Sequence, residues 1–223
     1  MKLFFSFLLI ALCSSLIYGQ ASRKPKPKPT PTTDIISAPT VDVAVAGGKF
    51  SAQRYENWFL GFSIVLPAGW QRLDDAVNDT YLEQGSDLLR QNKSKTTLKA
   101  LEKSFSNTRV LFQFVPPSGG AVLAAGIEQV PSGFTSRAYA ASNLRLSEGA
   151  AGFRVIKDIY ERPVGGKLWQ AYELEMTTFG QKLNQLYLMR VENKVALFFV
   201  TTLGDPAQAK ALTDSLNTLK FDR

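Results

Sequence analysis

Residues 195–203 read VALFFVTTL. Side chains alternate across an extended chain, so Leu197 and Phe199 face one way while Phe198 and Val200 face the other. A strand that is apolar on both sides belongs in the middle of a sheet covered on both faces. This stretch therefore predicts a layered domain.

Working upstream, three more strand-like runs stand close together: FRVIKDIYERP (153–163), KLWQAYELEMTT (167–178) and QKLNQLYLMRV (181–191). The connectors are Val164-Gly165-Gly166, Phe179-Gly180 and Glu192-Asn193-Lys194. Such short links force sequential antiparallel neighbours, because a parallel crossover needs a dozen or more residues. Downstream, Asp205 followed by Pro206 is a helix start, with Ala209, Leu212, Leu216 and Leu219 as its buried stripe. That helix is expected to close the fold.

Further from the centre, RVLFQFV (109–115) and AVLAAGIEQV (121–130) flank PPSGG and read as an antiparallel pair. TSRAYAASNLRLS (135–147) opens on a capping hydroxyl and predicts a helix with Ala138, Ala141 and Leu144 inward. Residues 73–105 carry Val77, Tyr81, Leu88, Leu98, Leu101 and Phe105 at helical spacing, predicting one or two amphipathic helices broken near residues 91–94. Asp74 and Asp75 suit a helix start, where negative charge is favoured.

The run YENWFLGFSIVLPAGW (55–70) holds five aromatic residues. Phe62, Ile64 and Leu66 alternate as a strand, and Pro67 ends it. Leu66 to Gly69 is expected to turn with proline second and glycine fourth, so that Trp58, Phe62 and Trp70 cap one end of the core. The expected architecture is one α+β domain over residues 49–223: an antiparallel sheet with a C-terminal strand meander, flanked by helices on both faces. A chain of that size buries close to roughly 70% of its unfolded surface.

The phrase at residues 55–70, with its Gly-Phe-Ser, apolar strand and Pro-Ala-Gly-Trp ending, resembles the opening of the PsbP-like superfamily, as does the order of elements over roughly residues 49–222. That group includes lumenal photosystem II extrinsic proteins, a nuclear Ran-binding protein and many exported bacterial proteins. The resemblance implies an antiparallel sheet flanked by helices, and a binding or assembly role without a shared active site. No residue here matches the metal or partner contacts of the photosystem proteins, so calcium, manganese, Ran binding and photosynthesis are not carried over.

The amino end, MKLFFSFLLIALCSSLIYGQA, has one charge at Lys2, an apolar run and the small pair Gly19 and Ala21. This is the layout of a signal peptide over residues 1–21, too short in its apolar run for a spanning helix. Export to the periplasm or the extracellular space follows, with no transmembrane segment in the mature chain. Cys13, the single cysteine, lies in this leader; lipidation there is the alternative, against which Leu12 before the cysteine argues.

Residues 22–48 read as a Lys/Pro-rich and low-complexity spacer, stiffened where Pro25, Pro27, Pro29 and Pro31 recur. Five of the 26 Lys and Arg precede Asp34, the first acidic residue, so most of the formal +7 belongs to the leader and spacer. The domain has no electrostatic warrant for nucleic acid. Arg23, Lys24, Lys26 and Lys28 form a candidate surface-binding tail for anionic lipid or wall polymer.

The chain has no histidine. That removes the usual general base and the Ser-His and Cys-His nucleophile systems. No nucleophile elbow, dinucleotide fingerprint, phosphate loop or calcium loop occurs, and no cofactor or metal is expected. Carboxylate chemistry stays open at Glu173 and Glu175, which share one side of a strand at about 6.6–6.8 Å, near the spacing of an inverting glycosidase pair. Such a pair must face across a cleft, so a salt-bridged stripe is the plainer reading. Asn78 and Asn92 head two sequons. The sequence thus points to a non-catalytic exported module with an unknown protein or envelope partner; a glycosidase and a tail-driven surface binder are the alternatives.

Overall fold

The computed structural model describes residues 40–74, 106–148, 152–178, 181–203 and 205–222, together with Leu98, Glu102 and Ser104. Most of the expected 73–105 helical region, with Asp75, Asn78 and Asn92, lies outside the described residues. So do the leader and the basic tail.

The four predicted C-terminal strands form with almost the expected limits: β7 (Phe153–Val164), β8 (Lys167–Thr178), β9 (Gln181–Glu192) and β10 (Val195–Leu203). The β7–β8 turn places Gly165 and Gly166 at φ 61° and 72°, as a two-residue hairpin turn demands. Ahead of them lie β4 (Gln71–Arg72), β5 (Thr108–Val115) and β6 (Val122–Gln129). The strand order is β4-β5-β6-β10-β9-β8-β7. β10 therefore sits inside a seven-stranded sheet, all of whose recorded pairings are antiparallel.

The alternation read in VALFFVTTL separates two cores. Leu197 and Phe199 join Trp169, Leu188 and Phe112 on one side; Phe198 and Val200 join Tyr172, Tyr187 and Met189 on the other. A bulge between Val110 and Phe112 puts the consecutive Leu111 and Phe112 into the same core, which strict alternation would forbid. Gly126 stands opposite Phe198, where a Cβ would come within 1.9 Å of the ring. Only glycine leaves room for that ring.

The first core is covered mainly by a second sheet, so a single-sheet architecture is corrected. Its strands are β1 (Gly48–Ser51), β2 (Arg54–Asn57), β3 (Phe62–Val65) and β11 (Lys220–Phe221), in that order across the sheet. Helix α3 (Pro206–Asn217) packs Leu212 and Leu216 into the same core. It does not end the fold: the chain runs on into β11, which pairs Phe221 with Phe62. The Asp205–Pro206 start is a full capping box with Gln208.

The fold also begins ahead of Lys49. Helix α1 (Thr40–Ala46) belongs to it, with Ala44 fully buried and its carbonyl accepting a 2.7 Å bond from Asn57 Nδ2. The expected spacer over residues 22–48 thus overlaps folded chain. The turn after β3 differs in register too. Trp70 N donates to Pro67 O, making Pro67 the first residue and Gly69, at φ 76°, the third. A positive φ at the third position explains the glycine better than a fourth-position preference.

The second core is covered by α2 (Ser136–Glu148), started by Thr135, whose hydroxyl accepts from Ala138 N. Tyr139, Ala140, Asn143, Leu144 and Ser147 are buried, while Ala138 and Ala141 are only half-buried. Of the expected stripe Leu144 is therefore inward while the two alanines are not, and the buried face includes polar groups.

Candidate functional site

Glu173 and Glu175 lie on β8 between residues of the second core, so both point toward the small-sheet side. Their carboxylates are engaged. Tyr160 Oη donates to Glu173 at 2.7 Å. Glu175 is held at 3.1 Å by Arg154 and at 3.3 Å by Lys182. Hydrogen bonding from Arg154, reinforced by Lys182, keeps the Glu175 carboxyl below its ordinary range despite some desolvation. An ionised group clamped by two cations is a poor proton donor. The pair is a cross-strand ion and hydrogen-bond ladder.

Glu173 nevertheless borders a cleft of about 110 Å³ between the large sheet and α3. The register explains the floor: Glu173 pairs with Leu186, and Leu186 pairs with Thr201, so the three form a row across β8, β9 and β10. Leu212 and Leu216 of α3 supply an apolar wall, and Arg162 of β7 also lines the cleft. Burial, with the Glu173 hydrogen bond, raises the Tyr160 phenol above its usual range, while neighbouring Arg162 opposes this. Thr201 is 1% exposed, and its hydroxyl has no hydrogen-bond partner among the described residues. Arg162 and Thr201 carried no signal in the sequence; their meeting depends on how α3 lies on the sheet.

A larger, shallow hollow of about 530 Å³ lies at the start of α3. Its polar groups are already spent. Gln208 Nε2 donates to Gly119 O and Ser118 Oγ, Asp205 caps the helix, and Lys182 pairs with Glu175.

On the opposite face, Glu128 is fully buried at the end of β6 and accepts from Ser104 Oγ and from Tyr139 Oη, the latter at 2.7 Å. Burial pushes its carboxyl up to about 7, with the two hydrogen bonds opposing the rise. Burial and the adjacent Glu128 charge drive the Tyr139 phenol well above its usual value. This carboxyl is locked in the interior, away from the cleft.

The three rings expected to cap the core separate. Phe62 is 1% exposed and Trp70 packs partly against the first core, but Trp58 is 67% exposed. The buried Asn57 shapes that corner: Leu60 N donates to its Oδ1 while its Nδ2 reaches Ala44 O and Tyr55 Oη. The following Trp58 is thereby turned outward, with Phe59 edge-on at 5.9 Å.

Among the described residues, no three acidic, histidine or cysteine side chains gather to hold a metal. No described helix is long and apolar enough to cross a membrane.

No protein-family model and no curated protein matches the chain. Among solved structures it is similar to cyanobacterial PsbP (CyanoP) from Synechocystis sp. PCC 6803, at 14% identity and a TM-score of 0.47, covering 76% of this chain and 91% of that one. It is also similar to LpqN of Mycobacterium tuberculosis, described as involved in cell envelope biogenesis, at 12% identity and a TM-score of 0.38, covering 51% of this chain and 78% of that one. PsbP is the group that the 55–70 phrase resembles. Identities and scores this low carry nothing about activity.

Proposed function

We propose that this chain is a non-catalytic exported binding or assembly module of the cell envelope or extracellular space, with helices against both faces of its large sheet and a Lys/Pro-rich spacer behind a cleaved leader. The supporting observation is the engagement of Glu173 and Glu175 by Tyr160, Arg154 and Lys182. These were the carboxylates left open for catalysis in a chain without histidine. A protein or envelope partner is its counterpart, and the exposed Trp58 ring is the contact to test first, since aromatic anchors dominate such interfaces.

The test compares envelope-extract capture by the wild type, a Glu173→Gln/Glu175→Gln double variant and Trp58→Ala, alongside polysaccharide hydrolysis. The reading expects one partner retained by the double variant, weakened by Trp58→Ala, and no hydrolysis by any form. Hydrolysis by the wild type that the double variant lacks would replace it with a glycosidase. A second reading rests on the alternating Lys-Pro run: Arg23, Lys24, Lys26 and Lys28 bind an anionic surface. Deleting residues 22–33 then abolishes binding to anionic vesicles at low salt, and unchanged binding removes that role.

A further inference from the structure

The four large apolar side chains left exposed among the described residues are not spread evenly. Two of them, Trp58 at 67% and Val45 at 38%, belong to the corner where α1 meets the small sheet. Trp58 N donates to Gly47 O at 3.2 Å, directly after α1, and a Cβ on Gly47 would come within 2.9 Å of Phe59 Cβ. The exposed ring therefore stands on closely packed backbone. Area decides what such a corner can hold. A tryptophan and a valine offer on the order of 200 Å² between them, against roughly 800 Å² per side in a standard protein interface. A bilayer asks for less, because an indole settles at the headgroup level with its apolar body inward and its N–H in water.

Chain connectivity supplies a second signal. Helix α1 begins at Thr40, where the Lys/Pro-rich segment joins the described domain, and its seven residues span only about 10 Å. Arg23, Lys24, Lys26 and Lys28 thus lead into the Trp58 corner. Acidic groups on α1 and β2 are offset there: Arg109 holds Asp42 at 2.9 Å, and Arg54 stands 3.8 Å from Glu56.

We infer that the Trp58 corner inserts into an anionic lipid bilayer, with the basic segment ahead of α1 supplying the electrostatic half of the attachment. This rests on the proposed exported module with its Lys/Pro-rich spacer, and it names the envelope counterpart as lipid. Neither half suffices alone: one weak apolar signal binds only marginally, and stable attachment takes two. Each cation near an anionic surface adds its own attraction, which salt screens.

The experiment mixes the full exported chain with vesicles of phosphatidylcholine alone, or of phosphatidylcholine with about one-quarter phosphatidylglycerol, at low and high salt. Binding is expected to the anionic vesicles at low salt, with a blue shift of tryptophan emission and quenching by brominated acyl chains. Trp169 is buried and Trp70 packs partly against the first core, so Trp58→Phe should abolish that optical signal. Trp58→Ala should bind at least ~tenfold more weakly. Its urea midpoint should stay unchanged, because the ring it removes is exposed. Deleting residues 22–33 should weaken binding at least ~hundredfold at low salt. Undiminished binding by Trp58→Ala, binding without blue shift or quenching, or equal binding to both vesicle types would each overturn the inference. A protein captured through Trp58 from lipid-free extract, with no vesicle binding, would overturn it too while leaving the proposed module standing. The mass of the exported chain scores leader removal separately, so failed export and failed insertion are told apart.

Discussion

The two faces of the large sheet are built on different chemistry. Toward the small sheet, Phe199 meets Phe62, Phe112 and Trp169 at centroid distances of 5.8, 6.3 and 5.5 Å, with no polar atom from these rings left over except the Trp169 indole, which donates to Val164 O. Toward α2, Tyr172 and Tyr187 stack at 4.6 Å, and the interior also holds Glu128, Asn143, Ser147 and Gln185. Tyr187 Oη donates to Gln185, which in turn donates to Thr202. The first face is held by edge-to-face and tilted ring packing with large buried area. The second is held largely by hydrogen bonds among buried polar groups. One side should therefore respond to lost volume, the other to lost protons.

The largest effect is expected on the ring side. Phe199→Ala should cost about 3–5 kcal/mol, read as a drop in the urea midpoint at every pH. A loss below about 1 kcal/mol would mean that this side does not close around Phe199.

The polar side is broken by pH. Glu128 has a folded pKa of about 7, above its ordinary 4.5, so the folded state binds the proton more tightly than the unfolded one. Its contribution is fully present below the unfolded value and is lost as pH rises through 4.5 to about 7, by up to about 3 kcal/mol. Glu128→Gln should flatten that fall between pH 5 and 8. An identical slope in the variant would assign the dependence elsewhere.

Tyr139→Phe removes one donor from the same carboxyl. It should cost about 1–3 kcal/mol, more above pH 7 than below pH 5, because an ionised Glu128 then loses a bond while buried. Smallest is Asp205→Ala, which deletes the α3 cap beside the ring side. About 1 kcal/mol of stability should disappear without pH dependence between 6 and 8.

How much could be read beforehand follows the same division. Strands β7–β10 were legible because two-sided hydrophobicity and short connectors leave few alternatives. The α3 start was legible because Asp205-Pro206 is a local device. Of the small sheet only β3 was: GKFS and KF are too short to announce strands, and Phe221 finds Phe62 only across the whole domain. The buried stripe of α2 was misread at Ala138 and Ala141 because Tyr139 reaches into the sheet for Glu128, a tertiary bond that no helical periodicity contains.

At the site, the shared side of Glu173 and Glu175 was readable from period-two alternation, but their engagement required knowing that β7 and β9 bring Tyr160, Arg154 and Lys182 beside them. Thr201 looked like any strand threonine until α3 was laid over it. The ring cluster at residues 55–70 was read correctly for Phe62 and wrongly for Trp58. Asn57 makes that distinction through its bonds to α1, whose place in the fold had not been recognised.

The pairing of β3 with β11 also has a kinetic consequence. It joins Phe62 to Phe221 and is extended by Asp222 N donating to Gly61 O, so contacts of very large sequence separation fasten the small sheet. Closing so long a loop costs entropy before any contact repays it. The meander of neighbouring hairpins should gain hydrogen-exchange protection first, and this distant clasp last.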